Sequence, residues 1–200
     1  MNTINKSELP AIGTELAGGF YTGIIQTEGN LYALITAPKA LELTGEWGNY
    51  GTKIPGANSA NNCTANAIAM AEAGSELAQK VVLIDHAGFK DWAIPSRDAL
   101  EIMYRAFKPT EQKNYCSWRD GENQSSVPQG ELYEETTPAQ TEIESFKTGN
   151  SEAFETGWYW SSTQYRADDA YKQDFSDGDQ DYNLKYGTAR VRPVRRLLIS

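Results

Sequence analysis

Near the start of the chain, apolar positions 20–25 and 31–36 flank Glu28-Gly29-Asn30, where Gly29 and Asn30 both tolerate positive φ. The spacing predicts a β-hairpin, ended by Pro38. Residues 44–62 are rich in Gly, Asn, Pro and Thr and predict an irregular stretch, with Trp47 anchoring it to the core. An alanine-dense segment over 64–80 predicts a helix, which Gly74 weakens. Residues 81–84 either extend that helix or form a short buried segment. Leu100, Met103, Tyr104 and Phe107 fall at i, i+3, i+4 and i+7, the period of a core-facing helix over 97–107. Ser96 is placed to cap it and Pro109 to stop it.

Periodicity then weakens. Residues 108–156 predict a long, mostly irregular excursion with one short strand, and loops of this length in a compact domain are usually functional or mobile. Strands are expected again at 158–161, 170–175, 182–186 and 190–198, with Ser176-Asp177-Gly178-Asp179 as a turn. Gly157-Trp158-Tyr159-Trp160-Ser161-Ser162-Thr163 reads as a buried aromatic strand running into a hydroxyl-rich turn, with Trp158 and Trp160 in the core. The last strand carries Val191 and Val194, and by period two Arg190, Arg192 and Arg196 share a face. Residues 1–17 read as a polar arm, leaving one domain over 18–200 with an insertion at about 108–156.

Charge sharpens this picture. The net charge is −9, and residues 119–155 hold nine acids against two bases, Arg119 and Lys147. A nucleic-acid backbone or an anionic membrane is therefore excluded as a partner. No run of eighteen apolar residues exists, so no membrane insertion is expected. The N-terminus lacks an apolar secretory core, which places synthesis in a cytoplasm. Cys63 and Cys116 make neither a disulfide framework nor a metal spacing and are expected as free thiols.

Eleven tyrosines and five tryptophans against six phenylalanines point to recognition surfaces, because Tyr and Trp offer large contact area at little conformational cost. The polar, aromatic-dotted window 164–187 supplies the candidate ligand-binding residues. They are Tyr165, Arg166, Asp168, Asp169, Tyr171, Gln173, Asp179, Gln180, Asp181, Tyr182 and Asn183. Strand alternation lets only some of them share a face: Tyr171 goes with Gln173, whereas Lys172 and Asp174 point oppositely.

Other chemistry is weaker. Asp177–Asp181 resembles a calcium loop superficially, but Thr188 stands where the twelfth-position glutamate belongs, so neither metal nor cofactor is expected. His86 is the only histidine and lies in a turn with no nucleophile motif, so no catalytic residues are assigned and no enzyme is expected. Arg190, Arg192, Arg195 and Arg196 are expected to neutralise acids, those of 119–155 first, within the domain or across a subunit contact.

Six segments in order carry a resemblance: Gly18-Gly19-Phe20-Tyr21, 32–38, Trp47-Gly48, 91–96, 159–163 and 191–195. Over residues 18–198 the chain resembles the C-terminal domain of the Lcl-type collagen-like adhesins. The resemblance implies an α+β, C-type-lectin-like fold: two helices flanking a mixed, mainly antiparallel sheet, long irregular loops, and paired N- and C-terminal strands. It is also similar to phage tropism determinants, whose diversified residues lie in the window matching 164–187 here. A short chain without a collagen-like stalk then reads as a virion component binding a host-surface glycan or protein receptor. The alternative is a capsid or tail decoration protein that uses the same fold to bind virion neighbours. A homo-oligomer in contact with other virion proteins is expected either way.

Overall fold

The chain enters along the rim of a sheet. The computed structural model describes residues 3–200. Strand β1 (Thr3–Ile4) runs parallel to the last strand of the molecule, and β2 (Glu15–Leu16) pairs with β3 (Gly19–Thr27). The expected arm over 1–17 is thus stitched to the domain from Thr3 onward; Met1 and Asn2 lie outside the described residues. The predicted hairpin is β3 with β4 (Asn30–Thr36), and β5 (Leu43–Glu46) follows.

The helix expected over 64–80 is two helices, α1 (Cys63–Glu72) and α2 (Glu76–Val82). Gly74 sits at φ +91°, a left-handed conformation that ends α1. Ser75 then caps α2 by accepting the Ala78 amide, while its hydroxyl donates to the Trp47 carbonyl at 2.7 Å. One serine therefore starts a helix and secures the Trp47 loop. Trp47 is fully buried, as its predicted role requires, and its indole donates to the Ser161 carbonyl.

Helix α3 (Arg97–Phe107) forms at the predicted register. Its cap differs, however: Ser96 Oγ is buried without a partner among the described residues, and the Arg97 amide donates to Thr163 Oγ1 at 2.9 Å. The apolar side of α3 packs Leu100, Met103, Tyr104 and Phe107 against Phe146, Phe154, Tyr159 and Phe175. Its polar side is buried as well, because the acidic excursion lies over it. Glu101, fully buried, accepts from Arg105, Asn123 and Tyr133, and Asp98 accepts from Ser125. Burial pushes the Glu101 carboxyl above its usual range against these stabilising bonds. The excursion itself contains one short strand, β6 (Ser126–Val127), and a single 3-10 turn at Glu144–Phe146.

The remaining strands are β7 (Trp158–Gln164), β8 (Asp169–Asp174), β9 (Gln180–Leu184), β10 (Thr188–Val191) and β11 (Val194–Ile199). One sheet runs β1-β11-β4-β3-β2 with β6 beside β3; the other runs β5-β10-β7-β8-β9. Each mixes antiparallel pairs with one parallel pair, β1–β11 and β7–β10 respectively. The architecture is α+β with three helices and two mixed sheets, rather than two helices around one sheet.

The strand expected over 190–198 is divided between the two sheets. Pro193 has no N–H to donate to a ladder, and there the chain leaves one sheet at β10 and joins the other at β11. Arg190 and Arg192 therefore do not share a face with Arg196. Three of the four arginines do neutralise acids, Glu42 for Arg190 and Arg192 and Asp91 for Arg195, whereas Arg196 donates to Thr27, Asn62 and Thr64 and pairs with no acid among the described residues. Of the 119–155 acids only Glu152 forms an ion pair with them among the described residues, at 4.0 Å from Arg192. Trp160 is buried as expected. Trp158 is only half-buried, with the Lys172 ammonium 3.5 Å from its ring centroid. Both cysteines are free, Cys63 buried and Cys116 exposed. Among the described residues no helix is long and apolar enough to cross a membrane.

Candidate binding face

The β8–β9 hairpin places Tyr171 directly opposite Tyr182. Opposed residues of an antiparallel pair share a face, as do residues two apart on one strand. Asp169, Tyr171 and Gln173 therefore line one side with Leu184, Tyr182 and Gln180. Tyr165, at the end of β7, stacks on Tyr182 at 4.3 Å between centroids and meets Tyr171 at 5.3 Å. Trp118, from the acidic excursion, completes the group. It lies parallel to Tyr171 at 5.6 Å and edge-on to Tyr182 at 6.1 Å. Trp118 keeps 50% and Tyr165 42% of its surface exposed, while Tyr171 and Tyr182 are half-buried.

Cations surround the rings. The Arg166 guanidinium lies 5.8 Å from both Tyr165 and Tyr182 and pairs with Asp169. Arg97 lies over Tyr171 at 5.4 Å. Each contributes a cation–π contact and holds a ring in place.

Beneath the rings a set of polar bonds latches the Trp118 loop to the hairpin turn. Asp177 accepts the Tyr115 amide through its carbonyl, and Asp179 Oδ1 accepts both the amide and the hydroxyl of Ser117, at 3.1 and 2.7 Å. Arg119 donates to Gln180 Oε1 at 2.7 Å. The turn is itself braced by Asp174 and Asp177, which accept the amides of Ser176 and Asp179. Burial, with Asp174 and Asp179 nearby, holds the Asp177 carboxyl above the usual carboxylate range. Among the described residues no group of three acidic, His or Cys side chains is arranged to hold a metal ion.

The eleven candidate residues thus separate into three sets. Tyr165, Arg166, Tyr171 and Tyr182 come together as one aromatic face, with Tyr165 and Arg166 exposed and Tyr171 and Tyr182 half-buried. Asp169, Gln173, Asp179 and Gln180 serve as its support: Asp169, Gln173 and Gln180 are buried, and Gln173 donates to Tyr133 Oη and the Gly178 carbonyl. Asp168 belongs with them, its carbonyl accepting the Lys185 amide. Asp181 and Asn183 lie on the opposite side of the hairpin, Asp181 across from Lys172. Trp118 and Arg97 were missed. The available signal was a lone tryptophan in an acidic, aperiodic segment, where no helix or strand pattern could place it in the core.

No curated protein matches this chain. A family model described as the Lcl C-terminal domain matches residues 46–195, a span that begins at the last residue of β5 and includes all three helices, the excursion and every residue of the aromatic face. The chain belongs to the Lcl C-terminal domain family.

Proposed function

We propose that this chain is a non-enzymatic, C-type-lectin-like binding protein of a phage virion, and that it recognises a host-surface glycan or protein receptor through Trp118, Tyr165, Tyr171 and Tyr182. Membership in the Lcl family makes it adhesin-like. The observation that carries the reading is the four-ring cluster, exposed at Trp118 and Tyr165 and latched by hydrogen bonds onto the β8–β9 hairpin. Ring faces stack on sugar rings or fill protein pockets, and preorganised rings lose little entropy on binding. The polar side chains nearest to them are engaged in holding the loop, which favours recognition over chemistry.

The test compares host-cell adsorption of particles carrying Trp118→Ala with Tyr165→Ala against unmodified particles. A central aromatic anchor contributes about 2 kcal/mol or more, so adsorption affinity should fall about thirtyfold. Normal adsorption together with failed incorporation into particles would instead identify a decoration or assembly protein.

A further inference from the structure

Lys108 follows the last residue of α3 and is 1% exposed. Its Nζ meets three oxygens: the Gln112 carbonyl at 2.6 Å, Asn114 Oδ1 at 2.8 Å and the Pro138 carbonyl at 3.2 Å. Among the described residues no carboxylate forms an ion pair with it. A buried ammonium without a counter-charge is costly, whereas a neutral amine is much less so. Burial accordingly lowers the Lys108 pKa, and Asp177 only partly opposes it. In the neutral form two hydrogens satisfy the two backbone carbonyls, which leaves the lone pair facing the Asn114 side chain.

Asn114 is held in turn by its surroundings. Its Nδ2 donates to the Glu134 and Pro138 carbonyls, both at 2.9 Å, which fixes the amide plane and turns Oδ1 toward Lys108. Tyr104 Oη donates to the same Oδ1 at 2.6 Å. Burial, with Asp177 and Asp174 nearby, keeps that phenol protonated. A donor aimed at a carbonyl oxygen becomes more stabilising as negative charge develops there. Burial also raises the Asp177 carboxyl, whose charge acts on both Lys108 and Tyr104.

We infer that Lys108 and Asn114 become joined by an amide bond between Nζ and Cγ, formed once by the folded chain on itself. Nζ attacks Cγ, Tyr104 Oη holds the oxyanion at Oδ1, and the Cγ–Nδ2 bond then breaks. Nζ gives up one proton and Nδ2 takes up one, with Asp177 as the relay, so ammonia leaves and no other reactant is consumed. A hollow of about 420 Å³ lined by Lys108, Gln112 and Gln140 gives the water-sized product a way out. Contact between the two groups supplies the proximity that an amine and an amide lack in solution. The new bond staples the end of α3 to the root of the Trp118 loop, where Tyr115 and Ser117 bond Asp177 and Asp179. It preorganises that loop whatever the aromatic face binds.

Intact mass and tryptic mapping of the full chain test this after incubation at about pH 9, where a buried amine is neutral. The wild type is expected to be lighter than its formula by one ammonia. Its map should contain a branched peptide joining residues 106–113 to residues 114–119. Lys108→Arg and Asn114→Ala should keep their full formula masses, and Tyr104→Phe should lose ammonia about a hundredfold more slowly. A wild type of full formula mass, an ammonia lost at another position in the map, or a loss that survives Lys108→Arg overturns the proposal. Reaction of Tyr104→Phe at the wild-type rate overturns the assigned oxyanion donor.

Discussion

Trp118 and Tyr171 lie with their ring planes 10° apart, although one belongs to an irregular acidic loop and the other to the middle of a strand. Stacking alone does not hold a loop residue in place, since an exposed aromatic pair is worth about 1 kcal/mol. The position depends on Asp179, which accepts two hydrogen bonds from Ser117 just before the tryptophan.

Asp179→Ala is expected to release the Trp118 loop without unfolding the domain. The bonds lost are exposed, so global stability should change by about 1 kcal/mol or less. Trp118 fluorescence should shift toward that of a solvated indole, and ligand affinity should fall with it. Unchanged fluorescence would mean that the latch is dispensable.

Arg192 is fully buried, and its guanidinium bonds to Glu42 at 2.9 Å, with the Ala153 carbonyl and the Phe154 ring beside it. Glu42 also accepts the Tyr159 hydroxyl. Arg192→Ala leaves Glu42 facing Tyr159 without its main counter-charge and should destabilise the fold by about 3–5 kcal/mol in urea unfolding. Arg192→Met combined with Glu42→Leu should recover much of that loss, because it removes the uncompensated charge as well as the pair.

Lys185 supplies a pH test. Its ammonium is buried, donates to the Thr52 carbonyl and Gln164 Oε1, and lies 4.8 Å from the Trp47 ring centroid. Burial lowers its pKa to about 8, only partly countered by Asp168 and Asp169. The unfolded chain, with an ordinary lysine near 10.4, binds the proton more tightly than the folded one. Between about pH 8 and 10.4 this group therefore makes the fold more stable as pH rises, and the gain disappears as pH falls through 8. The wild type minus Lys185→Met difference in unfolding free energy should carry this slope. A flat difference across the window would contradict it; buried tyrosines titrate in both proteins and cancel.

Much of the fold was legible because local chemistry dictated it. The i, i+3, i+4, i+7 pattern placed α3, the turn signal around Gly29 placed β3 and β4, and the aromatic run marked the start of β7, but Ser161-Ser162-Thr163, expected as a turn, continue that strand to Gln164. Gly74 and Pro193 were visible too, but their consequences were not. A glycine that weakens a helix and a glycine that ends it look alike until Ser75 is seen capping the next one. A proline in a strand shows that pairing is interrupted, not that the chain then crosses to another sheet.

The sequence by itself determined the aromatic display on β8 and β9, since alternation with period two depends only on neighbours along the strand. Tertiary structure alone decided which candidates face outward, and that Trp118 joins them. Asp169, Gln173 and Gln180 have the composition of ligand contacts, but Gln173 and Gln180 are buried against Tyr133 and Arg119 of the excursion and Asp169 is buried beside Arg166, which makes them supports. Long-range hydrogen bonds brought the tryptophan to Tyr171, and bonds between residues so distant in the chain leave no periodic trace in either segment.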